Sequence, residues 1–379
     1  MDTNNILKRL AEILGITRDV LEKKMGRTIR IMSYRGIDYV VLREDLGGFR
    51  EGTVIFLSEE KIIHGYPSIR RLALLEGVPL HMIDEIVVEE KMNGYNVRIV
   101  LVNDRILAIT RGGYICPYTT ARIEKIYGER LREALSEYED VVLAGEVIGT
   151  ENPYVVYEYP EAHGFDYFIF DVMKNGALAP LSLRDEIVDK YSLKRVPVLA
   201  RLNKNELGRL REIIDDLDKR GREGVVIKDP MHRVSPLKYT TIYINIKDIE
   251  EGMKYPFDEG RGYLFSRIVR LICQAYEYGL SNEELDRIAL RLGRAILGPA
   301  VESLKARSKG RLIAATYKLV FPSEEDLRDY LEFLEELGVD AVVKIIGTSR
   351  EGVEVELMKL KDTHGYYSKI LETGYSPLD

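Results

Sequence analysis

The chain has 379 residues, 45% of them hydrophobic and 31% charged, with no low-complexity tract; this is a globular composition with length for about two to four domains. No run approaches the ~18 apolar residues of a membrane span, and a formal charge of −7 excludes an all-over basic nucleic-acid binder while leaving room for a local basic groove. Cys116 and Cys273 are the only cysteines, too few for a disulfide scaffold or a cysteine zinc site, which fits a reducing cytoplasm.

In chain order, the polar start Met1-Asp2-Thr3-Asn4-Asn5 leads into an amphipathic helix and carries no signal-peptide pattern. Leu7, Leu10 and Ile13 mark one face of that helix, and Val20 with Leu21 opens a second stripe. Residues 28–33, 38–42 and 53–57 read as strands, completing an α+β unit over 1–64. From 65 to 248 strands dominate (84–91, 97–103, 141–148, 165–172, 223–228), with helices near 121–137 and 203–219. Residues 249–310 are largely helical, with Ser281 and Glu284 spaced as a capping box. Residues 260–320 carry eleven Lys/Arg against five acidic residues, which makes this stretch a candidate for a local basic groove. The tail, 311–379, reads strand, helix (324–337, Ser323 as N-cap and Gly338 as stop), strand, strand. Glutamine occurs once, as Gln274, and tryptophan is absent; scarce amides beside many charges suggest heat adaptation.

The segment Glu90-Lys91-Met92-Asn93-Gly94-Tyr95-Asn96-Val97-Arg98 lies between the apolar runs 86–88 and 99–102. Lysine is seldom buried without a partner, and a strand glycine lets a backbone or ligand approach closely. Such a position suits a nucleophilic amine. Further fragments follow in order: Thr110-Arg111-Gly112-Gly113, Gly145-Glu146, Phe168-Ile169-Phe170-Asp171, Glu223-Gly224-Val225-Val226-Ile227-Lys228 and Leu237-Lys238-Tyr239. Together they resemble the covalent nucleotidyltransferases, the polynucleotide ligases and mRNA capping enzymes. Within these, the chain is most similar to the archaeal ATP-dependent RNA ligases, a homodimeric, circularising family. The resemblance runs over nearly the whole chain and is most specific between 85 and 240.

That resemblance implies an α+β fold: a nucleotidyltransferase core of antiparallel sheets with helices, flanked by small α+β N- and C-terminal domains and a helical dimerisation domain over 249–310. It implies ATP and Mg2+ as cofactors and Lys91, Lys228 and Lys238 as catalytic residues. Glu90, Asn93, Gly94, Asn96, Arg98, Arg111, Glu146, Phe170, Asp171, Glu223, Lys228 and Lys238 would surround the nucleotide. Glu146 and Glu223 would bind metal or ribose, Arg111 would hold the ribose, and Phe170 would stack on adenine. Asp171 and Lys228 match positions that phage-type RNA ligases also require. No G-x-x-x-x-G-K-[ST] loop is present, so ATP use rests on the lysine scaffold.

The chemistry constrains the surroundings of Lys91. At an unperturbed pKa of ~10.4 about 0.04% of an amine is neutral at pH 7, a cost of roughly 4.6 kcal/mol. Nearby cations reduce that cost, and Lys228, Lys238 and magnesium would supply them. Glu89 shares the strand face of Lys91 and would oppose them, so it should point to solvent or to a basic partner.

Two departures bear on substrate. DNA ligases and capping enzymes read K-x-D-G-x-R, whereas here Asn93 and Asn96 replace the aspartate and arginine; an asparagine at the last position resembles RNA ligases, where it helps place the 5′-phosphate. The final K-x-K motif is Lys238-Tyr239-Thr240, leaving one phosphate contact missing.

Simpler readings exist for several residues. Glu146 and Glu223 each suit one half of a structural ion pair with a basic partner, and Phe168 and Phe170 suit core packing. Arg350-Glu351-Gly352-Val353 with Lys359-Leu360-Lys361 imitates the last two motifs, but reads as a hairpin with solvent-facing lysines. The five histidines lack metal-ligand spacing and are expected on the surface or in loops. The helical stretch, with Leu264, Ile268, Leu271, Ile272, Ala275, Leu285, Ile288, Leu292 and Ile296, suits a nucleic-acid platform, a dimer interface or packing on the chain's own catalytic domain.

The expected function is an ATP-dependent RNA ligase acting through lysyl-AMP and a 5′-adenylated RNA, able to circularise single-stranded RNA. Single-stranded DNA is a second candidate substrate, and no membrane partner is expected. The alternatives are a DNA ligase or capping enzyme, which would carry a β-barrel after the last motif where this chain is helical, and a non-enzymatic RNA-binding protein on the same fold.

Overall fold

The computed structural model describes residues 3–376; Met1 and Asp2 of the polar start lie outside them, as do the last three residues. The fold is α+β, with four sheets among the described residues. The first is an antiparallel meander of strands Ile29–Tyr34, Ile37–Leu42, Val54–Phe56 and Lys61–Ile63, with helices Thr3–Leu14 and Arg18–Lys24 packed on one face through Leu7, Leu10 and Leu21.

Two five-stranded sheets form the centre. One runs in the order Ala177–Leu178, Asp166–Lys174, Val141–Ile148, Tyr95–Val102, Arg105–Thr110. Both of its faces are buried. Val97 and Ile99 face helix Pro117–Glu137, while Val100 and Val102 face Tyr39 and Phe56 of the first sheet. This is why its strands read as unbroken apolar runs rather than alternations. The other sheet runs Val198–Asn203, Glu85–Lys91, Gly224–Lys228, Leu237–Thr240, Arg70–Arg71 and packs on helix Leu207–Lys219.

Helices Ile242–Gly252, Arg261–Tyr278 and Asn282–Ser308 follow, the last opened by the expected Ser281/Glu284 capping box. The chain ends with a three-stranded sheet, helix Glu324–Glu336 and helix Asp362–Thr373, the last of which the periodicity did not announce. Phe321, Tyr330 and Phe333 of this tail join the core of Tyr118 and Phe165. The hairpin over 350–361 is present, but its lysine is not solvent-facing. Lys359 Nζ donates to the Pro153 carbonyl (2.9 Å) and lies 4.8 Å from the Tyr154 ring centre.

Candidate active site

Cross-strand register places the chemistry. Lys91 pairs with Gly224; one row along, Glu89 pairs with Val226, Val226 with Lys238, and Lys238 with Arg71. Paired residues share a sheet face, so Glu89, Lys91, Val226, Lys238 and Arg71 stand on one side of this sheet. The second sheet closes the space opposite. Asn96 pairs with Glu146, and the closeness of the strands there depends on Gly94: a Cβ at that position would lie 2.0 Å from the Val147 carbonyl oxygen. The result is a cavity of about 510 Å3, within the usual size of small-molecule sites. Lys91, Asn96, Arg111, Glu146, Phe170, Lys228 and Lys238 all line it.

Lys91 Nζ sits 2.6 Å from Glu223 Oε1, and Glu223 is only 13% exposed. The second Glu223 oxygen is buried without a hydrogen-bond partner, as is Asn96 Oδ1. Burial pushes the Glu146 carboxyl up to about 7 against the pull of Lys91, with Glu223 adding to the rise. Two carboxylates that feel each other's charge, one of them with an idle oxygen, fit an oxygen-seeking divalent cation. Among the described residues no group of three His, Cys, Asp or Glu could hold one unaided, so phosphate oxygens and water would complete its shell. Burial also pulls the Lys238 amine down to about 8, aided by the charges of Arg71, Lys91 and Arg111.

Phe170 is presented by a β-bulge. Ile169 pairs with Gly145 and Asp171 with Ala144, leaving Phe170 as the extra residue, its ring 5.3 Å from Tyr66 and tilted 72°. A bulge re-aims a side chain, and the peptide is clamped here: the Phe170 carbonyl accepts from Lys228 Nζ (2.6 Å) and Arg184 (2.9 Å). Phe168 instead packs into the core with Met92 and Ile148.

Several expectations are corrected. Glu89 is not at the solvent; it is 1% exposed and paired with Lys228 (2.7 Å) and Arg184, which is the basic-partner outcome. Lys228 is neutralised by Glu89 and by Asp171 (2.9 Å), so it is no free cation beside Lys91; Lys238 and Arg111 are. Asp171 does not line the cavity. It lies fully buried behind it, where Lys228, His232 and the Tyr66 hydroxyl outweigh burial and hold its carboxyl well below the usual range. Arg98 does not reach the nucleotide space either: its guanidinium donates to the carbonyls of His64 (2.5 Å), Gly52 (2.7 Å) and Thr110 (2.9 Å), tying the first sheet to the second. The Asn93 backbone donates to the Tyr159 hydroxyl (2.6 Å), and its side chain is not part of the cavity wall. Glu90 touches the cavity, but its carboxylate is turned to Arg222, 3.4 Å away. His232 is in a loop, yet its ring is 1% exposed and bonded to Asp171 (3.0 Å).

Tyr66, Ile69, Tyr154, Phe333 and Leu337 also line the cavity and were not anticipated. Their signal is weak in the sequence because single aromatic and aliphatic residues in loops and in a distant helix carry no spacing.

Comparison with known proteins agrees with this geometry. A family model described as RNA ligase matches residues 84–240, and one described as Ligase Pab1020 C-terminal region matches 252–374. The uncharacterized protein MJ0414 of Methanocaldococcus jannaschii is 38% identical over 362 residues, 92% of this chain and 91% of that one. A solved archaeal ATP-dependent RNA ligase (form 1) superposes with a TM-score of 0.89 at 33% identity, covering 97% of this chain and 99% of the other. A structure described as a putative ATP-dependent DNA ligase from Aquifex aeolicus superposes with a TM-score of 0.86 at 29% identity, covering 95% and 100%. The residues around Lys91, the architecture and these likenesses agree: the chain belongs to the archaeal ATP-dependent RNA ligase family.

Proposed function

We propose that Lys91 is the nucleophile of an ATP-dependent RNA ligase. The carrying observation is the Lys91 amine 2.6 Å from Glu223 at the wall of a cavity that also holds Glu146, Lys238, Arg111 and Phe170. Phe170 stacks on adenine and Arg111 holds the ribose. Glu223 is placed to take the ammonium proton. The freed amine attacks the α-phosphorus, a nitrogen–phosphorus bond forms, and pyrophosphate leaves with the bonding pair. Lys238 and Arg111 stabilise charge on the phosphate oxygens. Magnesium held by Glu146 and Glu223 would supply further charge neutralisation. AMP then passes to an RNA 5′-phosphate, and attack by a 3′-hydroxyl on that adenylated end releases AMP and seals the strand. With both ends on one molecule the local end concentration is high, which supports circularisation of single-stranded RNA.

The four-part division at 64, 248 and 310 and a homodimer through 249–310 belong to the same reading. Leu264, Ile268 and Leu271 pack toward helix Ile242–Gly252, whereas Phe265, Ile272 and Tyr276 on the other face are 68%, 61% and 78% exposed. Ile272 and Leu285 are exposed, which disfavours, among the open readings, packing on the chain's own catalytic domain at these two positions. An apolar stripe of this kind suits a second copy.

Labelled ATP with magnesium should give a protein–AMP bond, and chasing with 5′-phosphorylated single-stranded RNA should move the label to RNA and then yield circles. Failure to transfer the label to RNA refutes the substrate. The Aquifex aeolicus likeness favours DNA ends as a second reading; the same chase with single-stranded DNA decides between them.

A further inference from the structure

The sheet row that carries Lys238 continues beyond the cavity to Arg71, its partner on the parallel strand Arg70–Arg71. Arg71 Nη1 donates to Thr240 Oγ1 (3.1 Å), and Thr240 lies two residues after Lys238, the one lysine of the K-x-K motif. The Thr240 hydroxyl donates to Asn245 Oδ1 (3.3 Å), and the same oxygen accepts from Arg270 Nη1 (3.4 Å). Gln274, the only glutamine, is 3% exposed and locks this arrangement: its amide donates to the Thr240 carbonyl and accepts from Asn245 Nδ2 (3.1 Å). Helix Arg261–Tyr278 is thereby fastened to the strand that bears Lys238.

The two guanidinium groups stand out by their charge balance. Arg122, Arg184, Arg222 and Arg267 have carboxylate partners, and the fully buried Arg98 has three backbone carbonyls instead. Among the described residues no carboxylate lies within ion-pair distance of Arg71 or Arg270; their polar contacts are Thr240 and Asn245. Burial pulls both groups down, Arg270 to about 10 with the charges of Arg71 and Arg267 adding to the fall, while Glu223 and Asp248 oppose it from beyond ion-pair distance. Two neighbouring cations with no anion in direct contact are costly to hold, and a planar guanidinium is suited to a phosphate.

We infer that Arg71 and Arg270 form a phosphate-binding subsite outside the Lys91 cavity, spanning the catalytic sheet and the helical hairpin and supplying the phosphate contact that the single-lysine K-x-K motif lacks. The inference rests on the reading of Lys91 as the adenylated residue. Its ligand is a phosphate other than the one attacked, supplied either by the pyrophosphate end of ATP or by the RNA backbone.

The test uses full-length Arg71→Gln, Arg270→Gln and the double variant, since glutamine can still donate to Thr240 and Asn245. Three quantities are read: the KM of ATP for labelling, the pyrophosphate concentration that reverses the label, and the salt dependence of affinity for 5′-phosphorylated single-stranded RNA. If the pyrophosphate end is the ligand, the double variant needs at least tenfold more ATP and pyrophosphate. If RNA is the ligand, affinity falls at least tenfold and the log–log salt slope flattens by about 0.7 for each lost contact. Lysine at either position should restore most of the effect. Changes below twofold in all three quantities would overturn the subsite, and so would losses that lysine cannot rescue. The RNA arm requires no adenylate, so it decides the matter even if Lys91 proves not to be labelled.

Discussion

Replacing Lys228 by methionine probes the buried charge cluster behind the adenine space. The side chain is 1% exposed and has three partners: the Phe170 carbonyl at 2.6 Å, Glu89 at 2.7 Å and Asp171 at 2.9 Å. Methionine keeps most of the volume, so packing loss is small and the electrostatic term dominates. Removing one member of a buried ion pair costs about 3–5 kcal/mol because the other is left unpaired. Here Glu89 keeps Arg184, and Asp171 keeps Tyr66 and His232. The lower figure, about 3 kcal/mol, is therefore expected. A chain of 379 residues with four sheets among its described residues exceeds the size for which a single two-state unfolding curve is the rule; hydrogen exchange of peptides covering Gly224–Lys228 and Asp166–Lys174 reads the opening locally. Exchange there should quicken by roughly 100-fold, and Asp171→Asn in the same background should recover at least about 1 kcal/mol by removing one stranded charge. Adenylation should slow severely because the Phe170 bulge loses a clamp. Exchange altered by less than threefold together with slowed adenylation would refute this account and make Lys228 a phosphate ligand only.

Gly94→Ala drives a methyl group to 2.0 Å from the Val147 carbonyl, so the two strands must part. Adenylation should fall by about 100-fold, the scale of a 1 Å misplacement, as measured by single-turnover labelling; a loss below fivefold contradicts the packing argument. Phe170→Ala should raise the KM for ATP by about five- to thirtyfold, the worth of ~1–2 kcal/mol of base stacking, with unchanged circular dichroism; an unaltered KM refutes the stacking role. Lys238 is cationic below about pH 8 and neutral above. The kcat/KM for ATP, which reports the free enzyme, should thus fall as pH rises through 8, and Lys238→Arg should move that limb beyond pH 9. Because the depressed value penalises the folded cation, stability should rise with pH between about 8 and 10.5 in the wild type, and this slope should vanish in Lys238→Met. A flat pH profile with full activity would exclude Lys238 from phosphate binding.

The motif residues were legible because strand alternation and fixed spacing put Lys91, Glu146, Phe170 and Lys238 around one space, with Glu223 against Lys91. What the spacing does not encode is which side chains stop at a buried partner before reaching that space. Arg98 and Asp171 sit in the right motifs but are intercepted by the His64 and Gly52 carbonyls and by Lys228 and His232, respectively. Arg184, His232 and Tyr66 act at long range in sequence, so nothing near them in the chain announces their roles. Phe170 illustrates the same limit. Simple alternation puts it with Phe168, but one inserted residue in the ladder separates them. Lys359 shows the converse, a strand lysine that alternation assigns to water and a tyrosine cluster captures.

The central claim is the bond between phosphorus and the side-chain nitrogen at position 91. After incubation with ATP and magnesium, tandem mass spectrometry of protease digests should find AMP on the peptide spanning Glu90–Arg98, fragmenting at Lys91, and Lys91→Ala should carry no adduct anywhere. Adenylate on another residue, or undiminished labelling of Lys91→Ala, would contradict the account.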